Sequence, residues 1–357
     1  MTAQLYIEGR EVGDDTPCYV IAEIGCNHQG DVETAFDMIR AARQCGADAV
    51  KFQKRDNRAL YTKSFYDRPY NHRNSYGATY GLHRDALEFD EKQFADIVAC
   101  AKDEGITLFS TPFDIASADF LERFDPPAYK IASGDVRSLP LIKHVASFGK
   151  PVLVSTGGAE LADVRLAVET VLDSNSQLGL FQCTSGYPAA FDELNLRVIE
   201  TYRNEFPDAV VGLSSHDNGI AMALVGWMMG ARMIEKHFTL NRALKGTDHA
   251  FSLEPEGLRK LIRDLGRARS AVGDGVKKVY ESERDPIIKM GKKLVAARAL
   301  PAGTVLSASD IAMKSPADGG LSPQHFGKIV GGILKRDLQE DDNFEFDVVQ
   351  PQSIAAE

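Results

Sequence analysis

Cysteine is scarce in this chain and poorly placed for bridging. The five residues, Cys18, Cys26, Cys45, Cys100 and Cys183, are odd in number, widely spaced and form no C-x-x-C pair. That argues against a disulfide framework and against a zinc knuckle, and leaves buried, reduced thiols. Long apolar runs are also missing. Nothing approaches the roughly 20 apolar residues that span a bilayer, so no membrane partner is expected. Met1 to Asp15 lacks a basic-then-apolar signal pattern, which makes the cytoplasm the expected compartment. Positive charge is in deficit: 41 Lys and Arg face 51 Asp and Glu, for a net charge of −10, which argues against nucleic acid as a partner. No G-x-G-x-x-G follows the first apolar run, which lowers the case for an open, doubly wound sheet.

What is present suits a soluble globular protein with a real core, at 44% hydrophobic and 26% charged residues. A length of 357 residues accommodates a barrel of about 250 residues and a small module. Eight short, nearly continuous apolar runs read as strands buried on both faces: Tyr19–Glu23, Ala49–Gln53, Thr107–Thr111, Ala128–Ala132, Val152–Ser155, Leu178–Cys183, Val210–Ser214 and Met233–His237. Helical periodicity fills the gaps, as in Phe94, Ile97, Val98 and Ala101, in Ala35, Phe36, Ile39 and Ala42, in Leu161, Val164, Ala167, Val168 and Val171, and in Leu258, Leu261, Ile262 and Leu265. Eight such units predict an α/β chain folded as a (β/α)₈ TIM barrel over residues 1–275. The pattern then changes. Residues 276–293 are polar, include Pro286 and read as a linker. Residues 294–357 alternate short β-type runs with turns: Leu294–Ala297, Ile311–Lys314, Ile329–Ile333 and Phe344–Val349. They predict a small, mainly β module that packs on the barrel or on a second subunit.

Barrel chemistry sits at the C-terminal ends of strands. Polar residues at the predicted ends are Glu23, Asn27, Lys51, Gln53, Ser110, Thr111, Lys130, Ser133, Ser155, Thr156, Thr184, Ser185, Tyr187, His216, Asp217, Glu235, Lys236 and His237. The histidines end two successive apolar runs, so a parallel βαβ unit would bring both to one edge. With Glu235 and Asp248 near them, and no cysteine in reach, they suit Mn²⁺ or Mg²⁺; hydrogen-bonded core histidines are the alternative. Lys51 and Lys130 interrupt apolar strands, which is costly unless they are paired. They read either as packing lysines matched to carboxylates or as cations that hold a phosphate and a carboxylate. The turns Ser133-Gly134 and Ser155-Thr156-Gly157-Gly158 could add N–H donors to a phosphate. A Schiff base on Lys130 or Lys236 is a rival reading. Between Lys54 and Arg84 lie seven Lys or Arg, two Asp and five of the eleven tyrosines. This stretch reads as a site for an anionic small molecule such as a sugar phosphate, or as a solvated basic surface.

Several segments are specific in combination: Ala22-Glu23-Ile24-Gly25-Cys26-Asn27-His28-Gln29-Gly30, Gly46-Ala47-Asp48-Ala49-Val50-Lys51-Phe52-Gln53-Lys54, Tyr129-Lys130-Ile131-Ala132-Ser133-Gly134-Asp135, Cys183-Thr184-Ser185-Gly186-Tyr187-Pro188, Glu235-Lys236-His237-Phe238-Thr239-Leu240 and the run from Gly246 to Pro255. On these segments the chain resembles the sialic acid synthase family over nearly its whole length, and the C-terminal module resembles that family's antifreeze-like (SAF) domain. The resemblance implies condensation of phosphoenolpyruvate with the open-chain aldehyde of an N-acylmannosamine, with release of phosphate. It implies that Glu23, Lys51, Lys130 and Glu235 are catalytic. It places Lys51, Lys130, Thr111, Ser133, Ser155 and Ser185 on phosphoenolpyruvate, and Gln53, Tyr187, Glu235 and Asp248 on sugar hydroxyls. His216 and His237 would hold the metal, and the protein would be a domain-exchanged homodimer.

One position departs from the pattern. Family members that use the free sugar carry an arginine in a Lys-Arg-Pro loop of the small domain, where this chain has Lys314-Ser315-Pro316. The chain is also similar to members that use N-acetylmannosamine 6-phosphate, in the Arg68 to Gly81 loop and in Lys245-Gly246-Thr247-Asp248-His249. This adds Lys245 to the substrate-binding set and gives the basic, tyrosine-rich stretch a 6-phosphate to hold. Other acceptors, either a legionaminate or pseudaminate precursor or mannose 6-phosphate, are alternatives with the same chemistry. A non-catalytic sugar-binding scaffold is the reading from another class.

Overall fold

The computed structural model describes residues 3–350. Two strands precede the eight that the apolar runs predict. β1 (Gln4–Ile7) and β2 (Arg10–Gly13) pair antiparallel across a tight turn at Glu8-Gly9, where φ is 51° and 75°. Two positive φ values are the twist-matched geometry of a two-residue hairpin. The predicted strands follow: β3 (Tyr19–Gly25), β4 (Ala49–Lys54), β5 (Thr107–Pro112), β6 (Tyr129–Ile131), β7 (Val152–Ser155), β8 (Leu178–Cys183), β9 (Val210–Ser215) and β10 (Met233–His237). They pair in parallel in chain order, and β10 closes on β3 with Met233 opposite Tyr19 and His237 opposite Glu23. The chain is a closed (β/α)₈ barrel followed by a small module of two-stranded sheets.

The intervening helices begin and end where side-chain chemistry dictates. Asp31 caps Val32–Cys45 through the Thr34 N–H, and Asp90 and Gln93 form a capping box on Glu91–Glu104. Gly46 and Gly105 close those two helices in the left-handed region. Their buried faces carry Ala35, Met38, Ile39 and Ala42, and Phe94, Ile97 and Ala101.

Alternation along the strands decides which side chains reach the barrel interior. Val20, Ala22, Val50, Phe52, Leu108, Ile131, Val154, Leu180, Leu213 and Ile234 point outward and form the core beneath the helices. The residues between them point inward. Tyr19, Ile21, Ala49, Phe109, Ala128, Leu153, Phe181, Val210 and Met233 form one apolar cluster with Leu5, Ile7 and Val12 of the hairpin. The hairpin therefore seals the N-terminal end of the barrel, the end that carries stability rather than chemistry. Further along most of the strands, the same inward face turns polar.

Between β4 and the helix Glu91–Glu104 the chain makes a long excursion. It contains three short helices, Asn57–Leu60, Lys63–Tyr66 and Tyr80–Asp85. This is the stretch rich in basic residues and tyrosine.

The first compact unit ends at Gly273 and the second begins at Asp274. The segment expected as a plain linker, 276–293, contains a 3-10 turn at Glu281–Glu283 and a helix at Arg284–Met290. In the second unit β11 (Lys293–Ala296) pairs antiparallel with β12 (Ile311–Lys314), and β13 (Ile333–Leu334) with β14 (Val349–Gln350). Its core includes Leu294, Leu306, Ile329, Leu334, Leu338 and Phe344. The β-type run Ile329–Ile333 is broken: Ile329 ends a helical turn, and Gly331-Gly332, with φ of 80° at Gly331, turns the chain before β13 starts. Residues 351–357 of the expected module lie outside the described residues. Among those described, no helix is long and apolar enough to cross a membrane.

Candidate active site

The polar inward residues open into a cavity of about 700 Å³ at the C-terminal ends of the strands. Glu23, Lys51, Gln53, Thr111, Lys130, Ser133, Ser155, Ser185, Tyr187, His216, Glu235, His237 and Asp248 all line it. The strand positions follow from the apolar layer below: Ile21 leads to Glu23, Ala49 to Lys51 and Gln53, Phe109 to Thr111, Ala128 to Lys130, Leu153 to Ser155, and Met233 to Glu235 and His237.

Lys245 is not among the lining residues. Its ammonium lies 4.4 Å from the Tyr76 ring centre, and its carbonyl accepts from the Tyr76 hydroxyl. Other polar residues at the strand ends also face away. Lys236 is buried against Asp217, with Nζ 2.9 Å from the carboxylate and 2.7 Å from the carbonyl, which removes it as a Schiff-base candidate. Asn27 donates to the Phe238 carbonyl and to Ser252. Thr156 donates to the Phe181 carbonyl, and Thr184 to the Glu193 carbonyl. Being at a strand end is not enough; the alternation must also point inward.

Four ionisable groups interlock on the cavity floor. Lys51 Nζ lies 2.7 Å from Glu23, 2.9 Å from the Thr111 hydroxyl and 3.7 Å from Glu235. Lys130 Nζ bonds the Ser155 hydroxyl and lies 3.9 Å from Glu235. Gln53 donates to Glu23 at 2.7 Å, and Ser214 to Glu235 at 3.2 Å. Burial works against every one of these charges, but the outcomes differ. It pushes the Glu23 carboxyl above the ordinary range, even though Lys51 opposes the shift. It opposes the Lys51 ammonium too, yet the carboxylates of Glu23 and Glu235 outweigh it and hold Lys51 above its usual value. Burial wins at Lys130, helped by repulsion from Lys51, and lowers that group. Glu235 is lowered because Lys130 and Lys51 overcome its burial. Glu23 thus holds a proton more readily than an ordinary carboxylate, and Glu235 less readily.

Next to Lys130 the backbone approaches closely. The Gly157 N–H donates to the Ser133 hydroxyl at 2.9 Å, and a Cβ at Gly157 would collide with the hydroxyls of Ser185 and Ser133. Glycine at 157 keeps open a concave cluster of hydroxyls and N–H groups beside an ammonium, which suits a phosphate or carboxylate.

His216 and His237 meet on the other side, with ring centres 5.2 Å apart. Tyr187 packs on His216 at 4.2 Å. His216 Nδ1 lies 2.9 Å from the Thr184 carbonyl, so it carries the proton and Nε2 holds a lone pair. His237 Nδ1 is buried with no hydrogen-bond partner, and the Asp248 carboxylate lies 3.8 Å away. Burial lowers the His237 pKa and keeps the ring neutral, as a metal ligand must be. Among the described residues no group of three His, Cys, Asp or Glu assembles as a metal site. The two facing imidazoles and the unpartnered, buried His237 Nδ1 fit a divalent ion that would take its remaining ligands from substrate or water. The expectation that no cysteine reaches the histidines is not met: Cys183 Sγ lies 3.9 Å from His216 Nδ1. Alternation again explains it, since Cys183 follows inward-facing Phe181.

The cavity has further lining residues that strand ends do not reveal. Arg55, Tyr80, Arg84, Phe113, Arg137 and Thr247 come from loops and from the excursion after β4. Ser214 and Cys183 were recoverable from period-two spacing. Arg55 and Arg84 belong to the basic stretch, but charge alone does not say which of its seven cations turn inward.

A model of the NeuB family matches residues 38–277, and a model of the SAF domain matches residues 293–343. The N-acetylneuraminate-9-phosphate synthase of Homo sapiens is 36% identical over 341 residues, covering 96% of this chain and 95% of that protein. The N,N'-diacetyllegionaminic acid synthase of Campylobacter jejuni is 34% identical, covering 90% of this chain and 97% of that protein. The structure of the N-acetylneuraminic acid (sialic acid) synthetase of Leptospira borgpetersenii, in complex with citrate, aligns with a TM-score of 0.69 at 29% identity, covering 80% of this chain and 96% of that one.

Proposed function

The chain belongs to the NeuB family and carries a SAF domain, and on that premise we propose that it is a sialic acid synthase. It condenses phosphoenolpyruvate with N-acetylmannosamine or its 6-phosphate, giving N-acetylneuraminate or its 9-phosphate and releasing phosphate. The observation that carries this reading is the two-part cavity. Buried lysines and hydroxyls suited to a doubly anionic ligand lie on one side, and two imidazoles with carboxylates beside them lie on the other.

Lys51, Lys130, Thr111, Ser133, Ser155 and Ser185 bind the phosphate and carboxylate of phosphoenolpyruvate. Glu235, Gln53, Tyr187 and Asp248 orient the sugar hydroxyls so that the aldehyde faces carbon 3 of phosphoenolpyruvate. A divalent ion, Mn²⁺ or Mg²⁺, held by His216 and His237 would supply Lewis-acid polarisation of that aldehyde. Carbon 3 bonds to the aldehyde carbon, and the aldehyde oxygen takes up a proton from solvent, matched by the one that Glu23 returns to solvent after water has added. Positive charge develops at carbon 2 beside the Glu23 and Glu235 carboxylates, whose preorganised field stabilises it. Water adds at carbon 2 and gives a proton to Glu23, the carboxylate whose burial raises its basicity. The adduct expels phosphate as its new hydroxyl becomes the keto group, and the hydroxyl proton leaves with the phosphate.

A homodimer in which the small module of one protomer reaches the partner's cavity belongs to the same proposal; light scattering and crosslinking test it. The reaction is tested by phosphate release from purified protein with Mn²⁺, phosphoenolpyruvate and N-acetylmannosamine or its 6-phosphate. Release with neither acceptor would sink the sugar assignment. The similarity to a legionaminic acid synthase at 34% identity makes an acceptor panel with N,N'-diacetylated and unphosphorylated sugars the direct comparison.

A further inference from the structure

Arg84 differs from every other cation lining the cavity. Lys51 and Lys130 share Glu23 and Glu235. Arg55 lies 3.7 Å from Glu88, donates to Gln53 at 2.6 Å and stacks on Phe113. Arg137 pairs with Asp163 at 2.6 Å and donates to the Gly158 carbonyl. Among the described residues Arg84 has no ion pair, and its Nε is buried with no hydrogen-bond partner. The residue is half-buried and its guanidinium is not already neutralised by a bonded carboxylate, so it remains available to an anion that enters the cavity.

The side chain is mounted on a fixed support. The helix Tyr80–Asp85 is capped by Thr79. Its Asp85 carboxylate accepts from the Tyr66 hydroxyl, and Gly81 lies so close to the Tyr66 ring that a Cβ there would overlap it. Arg58 covers the same ring at 3.5 Å. Tyr80 sits among Tyr61, Phe65 and Tyr70 at 5.3, 4.7 and 5.4 Å between ring centres. Arg84 is therefore preorganised, which lowers the ordering cost of binding.

Position in the fold selects the ligand. The strand-borne lysines and the Gly157 cradle already supply cations and donors for both anionic groups of phosphoenolpyruvate. Arg84 stands on the wall built by the excursion, with Tyr80 and the loop residues Thr247 and Asp248, rather than on the strand-borne floor. We infer that Arg84 reads a phosphoryl group at the end of the acceptor sugar remote from its aldehyde, and so makes the phosphorylated sugar the preferred acceptor. The inference rests on the synthase reading above. A guanidinium fork matches two phosphoryl oxygens at once, which a lone ammonium does not.

The test compares kcat/KM for N-acetylmannosamine 6-phosphate with that for N-acetylmannosamine, in wild type and in Arg84→Met. The ratio should fall on the order of 100-fold, as expected for loss of a bidentate charge-assisted contact. KM for phosphoenolpyruvate should move far less, and Arg84→Lys should recover part of the ratio. Arg84→Gln, which stays polar, replaces the Met variant if melting curves show that the latter does not fold. A ratio that stays within a few-fold overturns the inference, as does a phosphoenolpyruvate KM that rises by the same factor. If wild type turns over neither acceptor, the synthase reading fails separately, and calorimetry with N-acetylmannosamine 6-phosphate still decides on Arg84. Binding to wild type that is lost in the variant upholds it; equal affinity, or none in either protein, overturns it.

Discussion

Lys51→Met and Lys130→Met should separate stability from ligand binding, although the two lysines sit in one cluster and resemble each other in sequence. At an effective dielectric near 20, unit charges about 4 Å apart interact by about 4 kcal/mol, and more at closer range. Lys51 has two such partners, Glu23 at 2.7 Å and Glu235 at 3.7 Å. Its gross attraction is therefore about 10 kcal/mol, against a burial cost of several. Lys130 has a single carboxylate at 3.9 Å, about 4 kcal/mol, and feels repulsion from Lys51. The signs of the pKa shifts agree: Lys51 is held above its ordinary value and Lys130 below. Removing Lys51 leaves two buried carboxylates with one distant cation, a loss of about 3–5 kcal/mol. At the low end of the usual slope for large domains, that lowers Tm by about 6–10 °C. Removing Lys130 forfeits one attraction and also abolishes one unfavourable burial, so Tm should move by less than about 3 °C.

If the proposed synthase reading holds, both variants lose a charge-assisted contact to phosphoenolpyruvate, and affinity should fall at least about 10- to 100-fold in each. Circular-dichroism melting with and without phosphoenolpyruvate checks both parts. Saturating ligand, at about 100 times Kd, should stabilise wild type by about 2.7 kcal/mol and neither variant comparably. Equal melting losses in the two variants, or a larger one in Lys130→Met, would refute the reasoning, because the asymmetry comes from the distances alone. The sign with pH follows as well. The Lys130 ammonium is lost at lower pH than an ordinary lysine, so phosphoenolpyruvate affinity should weaken on the alkaline side before free lysines titrate, and calorimetry across pH 7–10 reads that limb.

His237→Ala should reduce turnover by about 10³-fold or more while leaving the melting curve close to wild type, and Mn²⁺ binding followed by electron paramagnetic resonance should be lost with it; full activity in that variant or after chelation would remove the metal from the mechanism. Asp135 has a buried, unpartnered Oδ2, and burial, with Asp114 adding to it, pushes its carboxyl up to about 6. The folded state then keeps a proton that the unfolded chain sheds near pH 4, so stability falls as pH rises from about 4 to 6 and stays lower above that. Asp135→Asn should therefore gain about 1–2 kcal/mol at pH 7.5, after allowance for partial exposure, and nothing at pH 4; urea melts at the two values check it. Lys236→Met should cost about 3–5 kcal/mol by stranding Asp217, and the double variant with Asp217→Leu should recover most of it, with the turnover of the refolded double variant showing whether the pair is structural only.

The barrel was legible because each strand is buried on both faces, which makes a strand visible as an apolar run bounded by polar residues. The β1–β2 hairpin escaped because each strand is four residues long and only partly buried, so its buried apolar side chains are only Leu5, Ile7 and Val12. The split between cavity residues and decoys was legible in principle. Ile21, Ala49, Phe109, Ala128, Leu153 and Met233 announce the inward face, and stepping by two from each gives Glu23, Lys51, Thr111, Lys130, Ser155 and Glu235. The same rule sends Ser110, Asp217 and Lys236 outward and adds Cys183 and Ser214. Linear order along a loop carries no such period, and there reading from sequence fails.

Lys245 and Arg84 make that failure concrete. Both are cations in segments with sugar-phosphate character, and neither has a carboxylate partner among the described ion pairs. What divides them is tertiary: Lys245 lies over the Tyr76 ring, where a π face offsets part of its charge, whereas Arg84 turns into the cavity from a helix locked by Gly81 against Tyr66. No local pattern encodes that contact, because Tyr66 and Gly81 are 15 residues apart in sequence and meet only once the excursion after β4 has folded on itself. The inner half of the site is thus dictated by strand periodicity, which is general to the fold, and the outer half by packing within the excursion, which no strand period describes. Differences in acceptor among relatives that share the lysine–carboxylate floor should accordingly map to the 55–90 excursion and the 245–249 loop. Exchanging residues 55–90 for the corresponding segment of the Campylobacter jejuni relative should change the acceptor preference and leave the KM for phosphoenolpyruvate within a few-fold; a change of the opposite kind would show that the strand ends, not the excursion, select the sugar.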